Sequence, residues 1–134
     1  LTKAKVIHTS GTRKRSVARL TLKPGKGLVR VNGVMLDNFE PSLARMKIKE
    51  PLLLVGEMAS KVHIDVNVYG GGVISQAEAV RQAMGKALSE LGGEKIKRML
   101  IKYDRSLLVA DTRYKETRKP NDSKARAKRQ KSYR

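Results

Sequence analysis

Apolar and polar residues alternate most cleanly between Lys61 and Tyr69. Val62, Ile64, Val66 and Val68 fall on one side and His63, Asp65, Asn67 and Tyr69 on the other, the two-residue period of a strand with one buried face. Ala18, Leu20 and Leu22 alternate with Arg19, Thr21 and Lys23 in the same way. Lys23-Pro24-Gly25-Lys26-Gly27 reads as a turn, after which Leu28 to Val31 resumes the strand pattern. Asn32-Gly33, between Val31 and Val34, predicts a type I′ hairpin, whose two central residues need positive φ. Residues 4–69 are thus mainly strand. Two short helical pieces interrupt them, opened by Pro41 and Pro51 at the first helical position, where a missing N–H costs nothing.

Beyond Ser75 the period lengthens. Ala77, Val80, Met84, Ala87, Leu88 and Leu91 form a stripe at helical spacing, which predicts a helix from about Gln76 to Leu91. Ser75 and Glu78 make an S-x-x-E capping box before it, and Gly92-Gly93 ends it. A second helix, from about Glu94 to Tyr103, puts Ile96, Met99, Leu100 and Tyr103 on one face and assigns Tyr103 to the core. Strands first and helices last predict an α+β fold with helices packed on one side of a sheet.

From Arg113 to Arg134 the pattern stops. That segment has no Val, Leu, Ile or Met, and ten basic side chains against two acidic ones. It cannot bury enough apolar area to offset an ordering entropy of roughly 1–2 kcal/mol per residue, so it is expected to be disordered alone and ordered by a polyanion. The chain divides into a globular domain, residues 1–112, and an extended basic tail, residues 113–134. The formal charge is +18 over 134 residues, and the domain is basic even without the tail. Self-repulsion of this size calls for surrounding counter-charge, for which nucleic acid and an anionic membrane surface compete. The longest aliphatic run, Leu52-Leu53-Leu54-Val55, falls far short of the ~20 apolar residues of a span, so no membrane partner is expected. The first residues, Leu1 to Lys5, show no signal-peptide core, and cysteine is absent; both fit a cytoplasmic location.

Gly70-Gly71-Gly72 joins the alternating strand to the capped helix. Such a loop can hold the phosphate of an RNA backbone or a nucleotide at the helix N-terminus, or can simply be a tight connection that needs glycine for its geometry. It is neither a Walker loop nor a dinucleotide fingerprint. His63 and Asp65 share a strand face, but no nucleophile, metal cluster or third orienting group accompanies them, and His8 is the one other histidine. An enzyme is therefore not expected, nor a cofactor or a metal. Arg13-Lys14-Arg15 lie in a loop between strands, where three neighbouring cations repel by up to about 1 kcal/mol in water and an anionic partner is welcome. Lys26 in the Pro-Gly turn and Arg118, Lys119, Lys124, Arg126, Lys128 and Arg129 in the tail extend this set. Tyr133 has no core to join and is free to stack on a base or sugar.

The segment Gly70-Gly71-Gly72-Val73-Ile74-Ser75-Gln76 through Ala87-Leu88 resembles the signature of the universal small-subunit ribosomal protein S-nine family. Gly11-Thr12-Arg13-Lys14-Arg15 with Ala18-Arg19 resembles that family's N-terminal motif. Leu107 to Asp111 and the ending Gln130-Lys131-Ser132-Tyr133-Arg134 are similar to its archaeal and eukaryotic branch. The resemblance is interrupted at Asn121-Asp122-Ser123 and Lys128-Arg129, where that branch often carries a glycine-rich stretch and a tyrosine. It implies a domain of the ribosomal protein S-five second-domain type on the head of the small subunit, bound to small-subunit rRNA and neighbouring proteins. It also implies that Lys131, Ser132, Tyr133 and Arg134 reach the peptidyl-site tRNA. Two alternatives remain beside it: a small-molecule kinase of the same fold using the glycine loop for nucleotide phosphate, and a generic nucleic-acid-compacting protein.

Overall fold

The computed structural model describes residues 5–121, 124–126 and 132. Five strands, β1 (Ile7–Arg13), β2 (Ser16–Pro24), β3 (Val29–Val31), β4 (Val34–Met35) and β5 (Val62–Tyr69), form one sheet in the order β1-β2-β5-β3-β4. Two helices, α1 (Ser42–Val55) and α2 (Val73–Tyr103), complete the α+β fold. The alternation read from the sequence sets the register. Ala18 pairs with Val68, Leu20 with Val66 and Leu22 with Ile64, so both buried rows lie on the same face. On their opposite rows Arg19 and Lys23 of β2 and Asn67 and Tyr69 of β5 are exposed, while Thr21, His63 and Asp65 are half-buried.

β5 inserts between β2 and β3 and pairs parallel with β3. The Lys23–Gly27 turn therefore closes no hairpin. It crosses the start of β5, where the Gly25 and Gly27 N–H groups donate to the Lys61 and Val62 carbonyls at 2.9 Å each. The Asn32-Gly33 hairpin forms as predicted, with φ of 50° and 81°, and Asn32 exchanges two hydrogen bonds with the Val68 backbone.

The apolar stripe of α2 lies in the core as far as Leu88: Ala77, Val80, Met84, Ala87 and Leu88 are all fully buried with Ile7, Leu20, Ile64 and Ile48, whereas Leu91, expected to continue it, is exposed where the arm ends. Burial of each large side chain contributes about 1.5–3 kcal/mol. Gly93, at φ 74° and ψ −163°, breaks α2 into two arms at the predicted Gly92-Gly93 position, in a conformation only glycine adopts readily.

Three expectations are corrected. The two short helices predicted at Pro41 and Pro51 are one helix, α1, with Pro41 as its N-cap and Pro51 inside it. Ala44, Ile48 and Pro51 form one buried stripe that runs through the proline, with Leu52 and Val55 packed on the core, and this burial offsets the roughly 3 kcal/mol an interior proline costs. The first arm of α2 begins at Val73 rather than Gln76, so Ser75 is a first-turn residue and not the cap. Its hydroxyl reaches back to the Gly72 N–H and carbonyl at 3.0 Å each, while Glu78 turns to cations instead. Tyr103 is 56% exposed rather than core: on the second arm Leu100 takes the buried position, and Tyr103 donates its hydroxyl proton to Glu50 at 2.8 Å.

Candidate nucleic-acid interface

At one end of the sheet β1 and β2 are joined by a two-residue turn, Lys14-Arg15, with Arg13 paired to Ser16 across its base. Ser16 is buried, and its hydroxyl donates to the Gly70 carbonyl at 2.8 Å and lies 3.0 Å from the Ser75 hydroxyl. The glycine loop is thereby pressed onto the hairpin. Gly70 and Gly71 have φ of 79° and 61°, and a Cβ on them would lie 2.5 Å from the Arg15 carbonyl oxygen and 2.3 Å from the Ser16 hydroxyl. Geometry alone demands these two glycines. The Gly72 N–H is taken by Ser75, and the first-turn N–H groups that follow, those of Val73 and Ile74 among them, have no intrahelical acceptor and carry the positive end of the helix dipole.

These pieces wall an open cleft of about 820 Å³. The hairpin lines one part of it with Lys14 and Arg15, the start of α2 another with Gly71 to Ser75, and the run Tyr114 to Arg118 a third. Three segments far apart in sequence, each singled out for its charge or its glycines, meet in one place. Tyr114, Lys115, Val73 and Ile74 line the cleft too, and none of them is among the site residues read from the sequence. The available signal was Arg113-Tyr114-Lys115, an aromatic set between two cations.

Arg13 differs from its two neighbours. Its Nε donates to Glu78 at 2.8 Å, its Nη1 lies 3.6 Å from Asp111, and the side chain is only 20% exposed. Lys47 approaches the other Glu78 oxygen at 3.3 Å. The carboxylate at the cleft wall is thus neutralised from within, which leaves the cleft cationic. Asp111 also forms a backbone bridge with Arg13, and the side chain and N–H of Arg113 hold its carboxyl well below the usual carboxylate range. This junction is what leads the tail residues past the glycine loop.

Behind the cleft, Arg81 ties α1 to the segment after α2. It donates to Glu50 at 2.6 Å, to Asp104 at 2.8 Å and to the Ser106 hydroxyl at 2.9 Å. Burial pushes the Glu50 and Asp104 carboxyls up, but the Arg81 hydrogen bonds and charge outweigh it, helped by Tyr103 at Glu50 and Ser106 at Asp104, and both lie below their ordinary values.

Other candidate residues are placed elsewhere. Lys26 stands at the opposite end of the sheet. The Lys119 N–H donates to the Lys124 carbonyl at 2.8 Å, and Arg126 pairs with Glu116 at 2.9 Å, so this stretch folds back on itself. Ser132 is exposed, and Lys128, Arg129, Lys131, Tyr133 and Arg134 lie outside the described residues. His63 and Asp65 do meet, at 3.0 Å, on the sheet face opposite the helices, and among the described residues no group of three or more His, Asp or Glu is arranged to hold a metal. None of the helices among the described residues is long and apolar enough to cross a membrane.

Comparison with known proteins meets the same motifs. The chain is 47% identical to "Small ribosomal subunit protein uS9" of Methanococcus maripaludis strain C7, with 97% of this chain and 99% of the relative covered. It is 49% identical to the protein of that name in Methanothrix thermoacetophila, with the same coverage of both chains. The family described as "Ribosomal protein S9/S16" matches residues 11–134, from the hairpin motif through the glycine loop and the tail. With nearly its whole length matched, this chain belongs to the ribosomal protein S9/S16 family, in its archaeal branch.

Proposed function

We propose that this protein is a structural constituent of the small ribosomal subunit, acting in the cytoplasm and without catalysis of its own. Membership in a family of ribosomal proteins supports this over the kinase and the generic compacting protein. The observation that carries it is the cationic cleft in which the β1–β2 hairpin, the glycine loop and the start of the tail converge.

In this reading the domain, residues 1–112 with a fold of the S-five second-domain type, seats on small-subunit rRNA in the head. Lys14, Arg15 and Arg118 receive phosphates beside the start of α2. Arg13, Gly70 and Gly71 shape the wall, and Gly72 lets the RNA backbone come close. Lys26 reaches rRNA only where the RNA wraps to the other end of the domain. The tail, residues 113–134, carries Lys119, Lys124, Arg126, Lys128 and Arg129 along rRNA and brings Lys131, Ser132, Tyr133 and Arg134 to the peptidyl-site tRNA. Neighbouring small-subunit proteins complete the surroundings.

Sedimentation through high salt tests the reading. The full chain is expected to stay with small subunits. A chain lacking residues 123–134, which removes no core position, is expected to assemble equally well into subunits that bind peptidyl-site tRNA more weakly. Release of the full chain at salt that leaves other ribosomal proteins bound would overturn it.

A further inference from the structure

The cleft is not lined as a phosphate groove alone. Tyr114 is 64% exposed, Val73 49% and Ile74 38%, so three apolar surfaces stand open among Lys14, Arg15 and Arg118 on a chain of charge +18. Water is a poor occupant for such a lining, and a purely anionic ligand would leave the apolar part unused. Paired RNA has the same shortcoming, because its base faces are stacked inside the helix and what faces outward is phosphate, ribose and the polar base edges. A volume of about 820 Å³ lies within the range of roughly 300–1,000 Å³ typical of sites that enclose a small molecule.

We propose that the cleft takes one unpaired nucleotide, turned out of an RNA loop or bulge. Its base packs on the Tyr114 ring and on Val73 and Ile74, and its phosphate meets Lys14, Arg15 and the start of α2. The two halves of the lining match the two halves of a nucleotide. This rests on the RNA-binding reading above and narrows it from rRNA in general to a single-stranded element. Tyr114 then supplies selectivity for unpaired RNA, while Lys14 and Arg15 supply affinity for either form.

Two RNA hairpins of equal nucleotide number, each closed by a non-nucleotide linker so that neither has loop bases, test it: one has a fully paired stem and the other a single unpaired 2-aminopurine in its stem, a fluorescent purine. The full-length protein is expected to prefer the bulged hairpin by about five- to 150-fold, the range found when one base–aromatic stack is removed. Tyr114→Ala is expected to abolish that preference and leave the salt dependence unchanged, and Tyr114→Phe to keep the preference. Replacing Lys14 and Arg15 together by alanine is expected to weaken both hairpins alike. Tyr114 is exposed, so its variants keep the fold, which circular dichroism verifies. Equal affinity of the wild type for the two hairpins, or a preference that survives Tyr114→Ala, overturns the proposal. Absence of salt-sensitive binding to either hairpin would sink the RNA-binding reading itself.

Discussion

Both ends of the sheet carry exposed cations, and they differ in shape. At one end Lys14 and Arg15 face a cleft closed by the start of α2 and by Tyr114 to Arg118. At the other, Lys23 and Lys26 project from a turn whose backbone is engaged with β5. The presence of cations alone therefore does not distinguish a site here. A concave wall, a helix start and a carboxylate neutralised by Arg13 and Lys47 are why we propose the first end as the main receptor.

The hardest way to break the contrast is through the cleft wall. Gly70→Val would force a β-branched side chain to positive φ and against the Arg15 carbonyl. The expected loss is about 2–5 kcal/mol, combining left-handed strain with overpacking. Gly33→Ala, also at positive φ but with open space around it, is expected to lose only about 1–2 kcal/mol. Urea unfolding midpoints compare the two, and equal losses would mean that the glycine loop is not pressed onto the hairpin.

Arg81 comes next. Replacing it with alanine leaves Glu50 and Asp104 without their shared cation, and the expected cost is about 1–3 kcal/mol because both carboxylates keep some access to water. Both carboxyls are depressed in the folded protein below their ordinary values of 4.5 and 3.8. Their stabilisation is thus full above those values and is lost as pH falls through them toward the lower folded values. Thermal melts between neutral pH and pH 2 are expected to show a shallower acid limb in Arg81→Ala than in the wild type. Tyr103→Phe, which removes one exposed hydrogen bond to Glu50, is expected to cost about 1 kcal/mol or less in the same melts.

What could be read from the sequence divides along the same line. The strands of β2 and β5, the Asn32-Gly33 hairpin and the first arm of α2 were legible because period and turn chemistry are local properties. The insertion of β5 between β2 and β3 was not, since pairing partners leave no local trace. Pro51 misled because its local cost was judged without the buried stripe that runs through it, and Tyr103 because one apolar face on a short arm can stay open. Arg13, Lys14 and Arg15 were read as one cationic unit. Only the fold separates them, since it brings Glu78 and Asp111 to Arg13 alone. Tyr114 escaped notice because a tail without aliphatic residues was judged by its charge.

The claim that the cleft end holds RNA is tested most directly by the salt dependence of binding to a short RNA hairpin that fills the cleft and cannot reach Lys26. Each neutralised phosphate contributes about 0.7–0.9 to the slope of log K against log salt. Alanine at both Lys14 and Arg15 is expected to reduce that slope by about 1.4–1.8, while Lys26→Ala leaves it unchanged. A slope that is untouched by the double substitution, or that falls as much with Lys26→Ala as with Lys14→Ala alone, would contradict the assignment of the interface to this end of the molecule.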